Sequence, residues 1–454
     1  MTDQTLEAQS QADRLVALVD QDNPFDIPFS ELLPQQIEAI NERFQDRVGQ
    51  IKLLQNRAEE GGITEIRRME DIVPLLFAHT AYKSYPEGWL IDRKWDRMGK
   101  WLDTVSTHRV KPVDPAAVSG LDSWLELLMD QGHFVGCSSG TTGKCAMMNG
   151  TTFDMEFSGH ALLQAQIWAG LAPNHDRKII AVGMTASTPK NNATGAPMVE
   201  AFTDPAAPPF APNVPKITIG SIVDMVVLRK KIADGTALPA DLEYYEEQSK
   251  IRAAAMDSAV EQTAQAFIDN RDRKLHIMGL FGPFYQVAEM VRERGYSAKD
   301  FAENTMFSSG GLKRAQVPEN YKQIVFDTFN ITPERICHTY GMQEINTTAP
   351  RCSANRYHIA PWVMLLVLDE SGENLIPPPA TGEAEGRAAF FDLSMDGRWG
   401  GVISGDKIRA TWEPCACGNS SPSVHEDIQR YADLAEGDKI ACSGTIDAYV
   451  RGVS

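Results

Sequence analysis

The chain has 454 residues and a formal net charge of −18, with 43% apolar and 23% charged residues. This is the length and composition of an ordinary globular protein with several layers of structure. The acidic balance argues against a duplex nucleic-acid surface or an anionic membrane as partner, because both reward clustered Lys and Arg, while a local basic pocket for a phosphate ligand stays compatible with it.

The amino terminus, Met1-Thr2-Asp3-Gln4, has neither the basic start nor the apolar run of a secretory leader. Residues 5–61 read as helical, with apolar residues at three- and four-residue steps such as Leu15, Leu18, Val19 and Ile37, Ile40, Phe44. Pro24, Pro28 and Pro34 are expected to cut this region into pieces. Residues 124–136 lead into a glycine-rich loop, after which 153–171 reads as a helix and 178–183 as a buried strand. Residues 186–215, rich in Pro, Ala, Asn and Thr, read as a long surface excursion. A long polar-faced helix over 242–270, a strand over 274–278 and a helix over 284–293 follow, then strands over 335–340, 362–368 and 386–392. The run 362–368 is the longest clean apolar stretch, far short of the roughly 20 residues of a membrane helix. Seven cysteines, an odd number, read as reduced thiols or metal ligands rather than a disulfide framework. The expectation is a cytoplasmic α/β protein without internal repeats and without nucleic-acid or membrane partners.

The loop is Ser138-Ser139-Gly140-Thr141-Thr142-Gly143-Lys144. Gly140 and Gly143 permit positive φ and close backbone approach, successive amides can form an anion-binding concavity, and Lys144 adds a positive charge. It is not a G-x-x-x-x-G-K-[ST] loop, because Ser138 and Cys145 stand where that motif needs Gly and Ser or Thr. A flexible Gly/Ser/Thr turn is the alternative reading of the same string.

The loop resembles the signature of the adenylate-forming superfamily of acyl-CoA synthetases, adenylation domains and luciferases, with Cys145-Ala146 where the family has Pro-Lys. Three further motifs follow in the family's order. Ser308-Ser309-Gly310-Gly311 resembles the small-residue loop placed against the adenine. Tyr340-Gly341-Met342-Gln343-Glu344 resembles Tyr-Gly-x-Thr-Glu, with Gln343 in place of Thr. Ser404-Gly405-Asp406 resembles Thr-Gly-Asp. The resemblance implies layered mixed sheets with packed helices, a helical part over 1–120 and a nucleotide- and acyl-binding core over 121–454. It implies ATP phosphates on 138–144 with Lys144 catalytic, adenine beside Gly310, Gly311, Tyr340 and Gly341, ribose on Asp406, and Mg²⁺ on Glu344. The family's order would put the acyl pocket at Phe281, Gly282 and Pro283, for which core packing is the plainer reading. His338, beside the aromatic motif, reads as structural rather than as a base.

Cys415-Ala416-Cys417-Gly418-Asn419-Ser420-Ser421-Pro422 is similar to the Cys-x-Cys-Gly-Arg-x-x-Pro stretch of the phenylacetate–CoA ligase branch, with Asn419 in place of Arg. Cys415 and Cys417 with Cys352 and His358 make a complete set for a structural zinc, and a pair of buried thiols is the alternative. Segments beginning at Thr80 and His358 are similar to the acyl-protein synthetases of bacterial bioluminescence. Residues 444–452 resemble the hinge to a small mobile C-terminal domain, and the chain stops at Ser454, so the resemblance implies an adenylation domain without that lobe. The implied activity is conversion of an aryl or fatty acid to acyl-AMP, with transfer to a thiol: CoA, a carrier protein or a partner enzyme. The alternatives are transfer to a protein cysteine, with Cys442 as an internal acceptor, and a non-catalytic nucleotide-binding regulator. Oligomeric state is not legible in the sequence.

Overall fold

Local signals start the N-terminal helices. Ser10 caps α1 (Gln11–Val16) by accepting the Asp13 amide. In α2 (Phe29–Arg47), Leu32, Gln36, Ala39, Ile40 and Phe44 form one buried face. α3 (Lys52–Gly61) stops at Gly62, whose φ of +62° is the left-handed conformation that terminates helices. α4 (Met69–Ile72), a short strand β1 (Phe77–Ala78), α5 (Glu87–Ile91), α6 (Trp95–Thr104) and α7 (Leu121–Met129) follow. The computed structural model describes residues 10–138, 145–183, 188–309, 316–434 and 438.

Pro34 corrects one expectation, because it lies inside α2 instead of ending a helix. An internal proline costs about 3 kcal/mol. Docking of the buried face offsets this: Gln36 Nε2 donates to the carbonyls of Pro361 and Val363 at 2.8 and 3.1 Å, and Phe44 meets Trp399 edge-on at 6.4 Å.

The antiparallel hairpin β2 (Gly136–Ser138) and β3 (Ala146–Met148) flanks the glycine-rich loop. Helix α8 (Thr152–Trp168) begins at a capping box between Thr151 and Asp154. A five-stranded sheet then assembles from β4 (Lys178–Ala181), β5 (Leu275–Gly279), β6 (Asn304–Ser309), β7 (Ile331–Tyr340) and β8 (Ala349–Pro350), in that spatial order. Its first four strands are parallel, and β8 runs antiparallel to β7. The connecting helices are α9 (Pro189–Phe202), α10 (Ile219–Ala233), α11 (Pro239–Asp269), α12 (Phe281–Glu293) and α13 (Tyr321–Phe329).

Helix α9 corrects the reading of 186–215 as an excursion. Thr188 caps it by accepting the Asn191 amide, and Pro189 sits at the helix start, where its missing N–H is harmless. Among the described residues of this segment, the stretch after α9 is irregular, and Phe210 returns to bridge Ile180 beside the sheet.

The last strands are β9 (Arg356–His358), β10 (Val363–Leu368), β11 (Leu375–Ile376), β12 (Ala384–Asp392), β13 (Gly401–Thr411), β14 (Ser423–His425) and β15 (Gln429–Arg430). They form a second sheet in the order β11-β10-β12-β13-β14-β9, with β1 and β15 also paired to β13. Leu162 of α8 and Met198 and Phe202 of α9 form a small cluster with the parallel sheet; the N-terminal helices share one core with the last sheet, whereas the parallel sheet and α11, α12 and α13 have another. Strand β7 joins the two, with Ile331 and Ile336 in the second core and Tyr340 against the first. This is the expected layered α/β architecture. Among the described residues no helix is long and apolar enough to cross a membrane.

Candidate nucleotide site and Cys/His cluster

The end of β7 and the middle of β13 bring two motif residues together. Tyr340 Oη donates to Asp406 Oδ2 at 2.8 Å. In-register pairing of β13 with β15 places Arg430 on the other side, with Nε 3.3 Å from Asp406 Oδ1. Asp406 is 4% exposed, and burial pushes its carboxyl above the usual range against the opposing pull of Arg430 and Tyr340. The Tyr340 phenol is also pushed up, by burial and then by the Asp406 charge. Its ring lies 5.9 Å from Tyr357 and 6.0 Å from Phe390. Gly341 must be glycine in this packing, since a Cβ there would stand 2.5 Å from Thr348 Cγ2. An apolar cavity lined by Tyr340, Gly341, Met342, Ile345, Ile359 and Phe390 opens beside the pair.

Glu344 sits in the turn after Tyr340. The turn abuts the strand that leads into the glycine-rich loop, because a Cβ on Gly136 would lie 3.8 Å from Gln343 Oε1. Ser138 is the last residue of β2, and the far side of the loop is anchored by Tyr85 Oη on the Cys145 carbonyl at 2.8 Å. Ser139, Gly140, Thr141, Thr142, Gly143 and Lys144 lie outside the described residues, as do Gly310, Gly311, Cys442 and the 444–452 segment. His79, which follows β1, is held beside this region, with Nε2 3.9 Å from Asp438, and burial lowers its pKa.

Phe281, Gly282 and Pro283 form the first turn of α12. Phe281 is 4% exposed and packs 5.4 Å from Tyr321 and 5.7 Å from His338. His338 lies two positions before Tyr340 on β7, so the turn borders the motif strand from the side of the second core. Pro283 approaches the end of β4, where a Cβ on Gly183 would come 3.0 Å from it.

Cys352, His358, Cys415 and Cys417, distant in sequence, converge so that their ligand atoms all lie within 4.8 Å of one another. Cys352 Sγ is 3.9 Å from Cys415 Sγ, and Cys417 Sγ is 3.3 Å from His358 Nε2. These separations are close to those around a tetrahedral zinc with ~2.3 Å Zn–S and ~2.0 Å Zn–N bonds. His358 Nδ1 lies 2.9 Å from Ser421 Oγ, a partner that leaves Nε2 free to ligate. The donor set therefore fits zinc. The loop carrying Cys415 and Cys417 is strapped to the start of the chain. Ser421 N donates to Phe25 O at 2.8 Å, Asn23 Nδ2 to Asn419 Oδ1 at 2.9 Å, and Ser420 Oγ to Asp26 Oδ1 at 2.9 Å.

No protein-family model matches the chain, and no curated protein sequence matches it. Solved structures do. A 2-hydroxyisobutyryl-CoA ligase in an open conformation, with 2-HIB-AMP and CoA, matches at TM-score 0.55 and 14% identity, over 91% of this chain and 74% of that chain. The same ligase in a postadenylation state, with R3-HIB-AMP, matches at 0.55 and 12% identity, over 90% and 71%. The chain shares the fold of this ligase.

Within this shared fold, the structure brings Tyr340, Gly341, Glu344 and Asp406 to one region and gathers the four Cys/His residues into another. Arg430 and His79 were not anticipated from the sequence. Nothing in the string shows that β15 folds back onto β13 and so brings Arg430 to Asp406. His79 lies outside the motifs named above.

Proposed function

We propose that the chain activates a carboxylic acid as its acyl-adenylate and hands the acyl group to a thiol. A carboxylate oxygen attacks the α-phosphorus of ATP, the bond to the β-phosphate oxygen breaks, and pyrophosphate leaves. The observation that carries this reading is the meeting of Tyr340 with Asp406 beside an apolar cavity, in a fold of adenylate-forming type. Asp406 is a buried acceptor suited to ribose hydroxyls, and the Tyr340 ring offers a face to the adenine. Lys144 and the amides of 138–144 would hold the outer phosphates, with Gly310 and Gly311 against the base. Catalysis of this kind rests on positioning and charge neutralisation. Mg²⁺ held by Glu344 would supply charge neutralisation at the phosphates.

The acyl pocket is assigned to the region of Phe281, Gly282 and Pro283, and the acid to the aryl or fatty class. CoA is the favoured thiol, supported by the CoA bound in the matched ligase. The Cys-x-Cys stretch and its converging partners favour a phenylacetate–CoA ligase-like branch, with a structural zinc that pins loops and leaves no open coordination position. Exchange of labelled pyrophosphate into ATP, across a panel of aryl and fatty acids, tests the reaction. Exchange with at least one acid is expected; a flat response with ATP binding intact would instead favour a non-catalytic regulator. Label from an activated acid that survives denaturation, and is lost in Cys442→Ser, would move the acceptor from CoA to the protein itself.

A further inference from the structure

Four successive carbonyls in the turn after Tyr340 are all drawn to two cations. Lys190 Nζ donates to Met342 O at 3.3 Å and also to Ile345 O. Arg398 Nη2 donates to Gln343 O at 3.0 Å and to Glu344 O at 2.9 Å, while its Nη1 reaches Asn149 O beyond β3. Immediately downstream the polarity reverses. Asp392 Oδ2 accepts the amides of Asn346 and Thr347, both at 3.0 Å, and Asp154 Oδ1 accepts Asn346 Nδ2 at 2.6 Å. The stretch 342–347 is thus gripped by cations on its carbonyls and by buried carboxylates on its amides.

Each cation is delivered by a specific piece of the fold. Lys190 is the second residue of α9, whose start is fixed by the Thr188 cap and Pro189. Helix α9 can approach α8 because position 159 is glycine: a Cβ there would lie 2.6 Å from Ala193 O. Arg398 is 4% exposed and stands 5.7 Å over the ring of Tyr82. Bonds from a charged donor to backbone carbonyls are among the stronger hydrogen bonds in a folded chain.

We infer that Lys190 and Arg398 are positioning residues for Glu344, fixing the backbone from which its carboxylate meets the metal–nucleotide. This rests on the adenylation reading. On this inference the two cations act through the carbonyls of 342–345. Lys190 also carries a distinguishing signature. It is half-buried by area with its ammonium end withdrawn from water, which pulls its pKa down to about 8. Arg398 pushes in the same direction, and Asp392, Glu344 and Asp154 oppose it. The ammonium therefore loses its charge as pH rises through about 8, and the grip on Met342 and Ile345 weakens.

The test is the free Mg²⁺ concentration giving half-maximal pyrophosphate exchange, in wild type, Lys190→Met and Lys190→Arg, with binding of metal-free ATP measured alongside. Loss of a charged hydrogen bond predicts a roughly tenfold or greater rise in the Mg²⁺ requirement for Lys190→Met, partly restored in Lys190→Arg. Metal-free ATP binding, which uses Asp406 and Tyr340, should be unchanged. In wild type the requirement should climb above about pH 8, and in Lys190→Met it should lose that climb. An unchanged requirement in a folded Lys190→Met protein overturns the inference and leaves the adenylation reading standing. If that variant does not fold, a wild-type requirement that is flat between about pH 7 and 9 overturns it equally. A wild type that neither exchanges pyrophosphate nor binds ATP brings down the adenylation reading, and this inference with it.

Discussion

Asp406 keeps a carboxylate in a nearly closed environment because Tyr340 donates to one oxygen and the Arg430 charge pairs with the other. Removing it takes away the proposed ribose acceptor and leaves Arg430 without that partner. Asp406→Ala is expected to raise the KM for ATP by about 10- to 100-fold, the span of a lost charged hydrogen bond. Tyr340→Phe keeps the ring and loses one donor, so a rise of only about threefold to tenfold is expected in the same assay. Both are read from initial rates of pyrophosphate exchange against ATP concentration. Tyr340, Glu344 and Asp406 could be proposed from the sequence because each lies in a short motif of contiguous residues with distinctive chemistry. Arg430, Lys190 and Arg398 could not, because each reaches its partner through tertiary folding and none sits at a diagnostic spacing.

Among the elements, the Cys/His cluster was readable for a different reason. Thiols and imidazoles are sparse, and two cysteines one residue apart are unusual enough to mark a loop without knowledge of the fold. Purified protein is expected to hold about one zinc per chain by metal analysis. Cys417→Ser should lose that zinc and lower the melting temperature by more than about 5 °C. Zinc retained in the variant, or only trace zinc in the parent, would count against the assignment. Helix α9 shows the opposite case. Its Pro, Asn, Ala and Thr content spoke for a loop, and packing across Gly159 overrode that weak propensity. Pro34 in α2 was misread for the same reason, since local cost does not report on what the rest of a helix docks against.

The described residues pack into three cores, and each of the two that the parallel sheet lines has a histidine beside it that acid would charge. His276 is fully buried, stacked 4.5 Å from Phe202, and burial pushes its pKa down to about 3. His338 on β7 is lowered to about 3 as well, again chiefly by burial. A group whose folded pKa is depressed contributes stability that is present above its unfolded value of about 6.5 and is lost as pH falls toward the folded one. Urea unfolding midpoints should therefore drop between about pH 6.5 and 4, and His276→Gln should flatten that slope. A slope unchanged in the variant would remove His276 from the account.

The strap between residues 23–26 and 419–421 bears on the order in which the chain comes together. Asn23 and Asn419 are separated by 396 positions, Ser420 and Asp26 by 394. During synthesis the first segment must wait for nearly the entire polypeptide to emerge before its partners exist. Contacts confined to residues before 419 can form earlier than this seam, so the Cys/His loop acts as a late latch on the N-terminal helices. Pulse-labelled refolding should find the amide of Ser421 among the last to gain protection, later still when zinc is withheld.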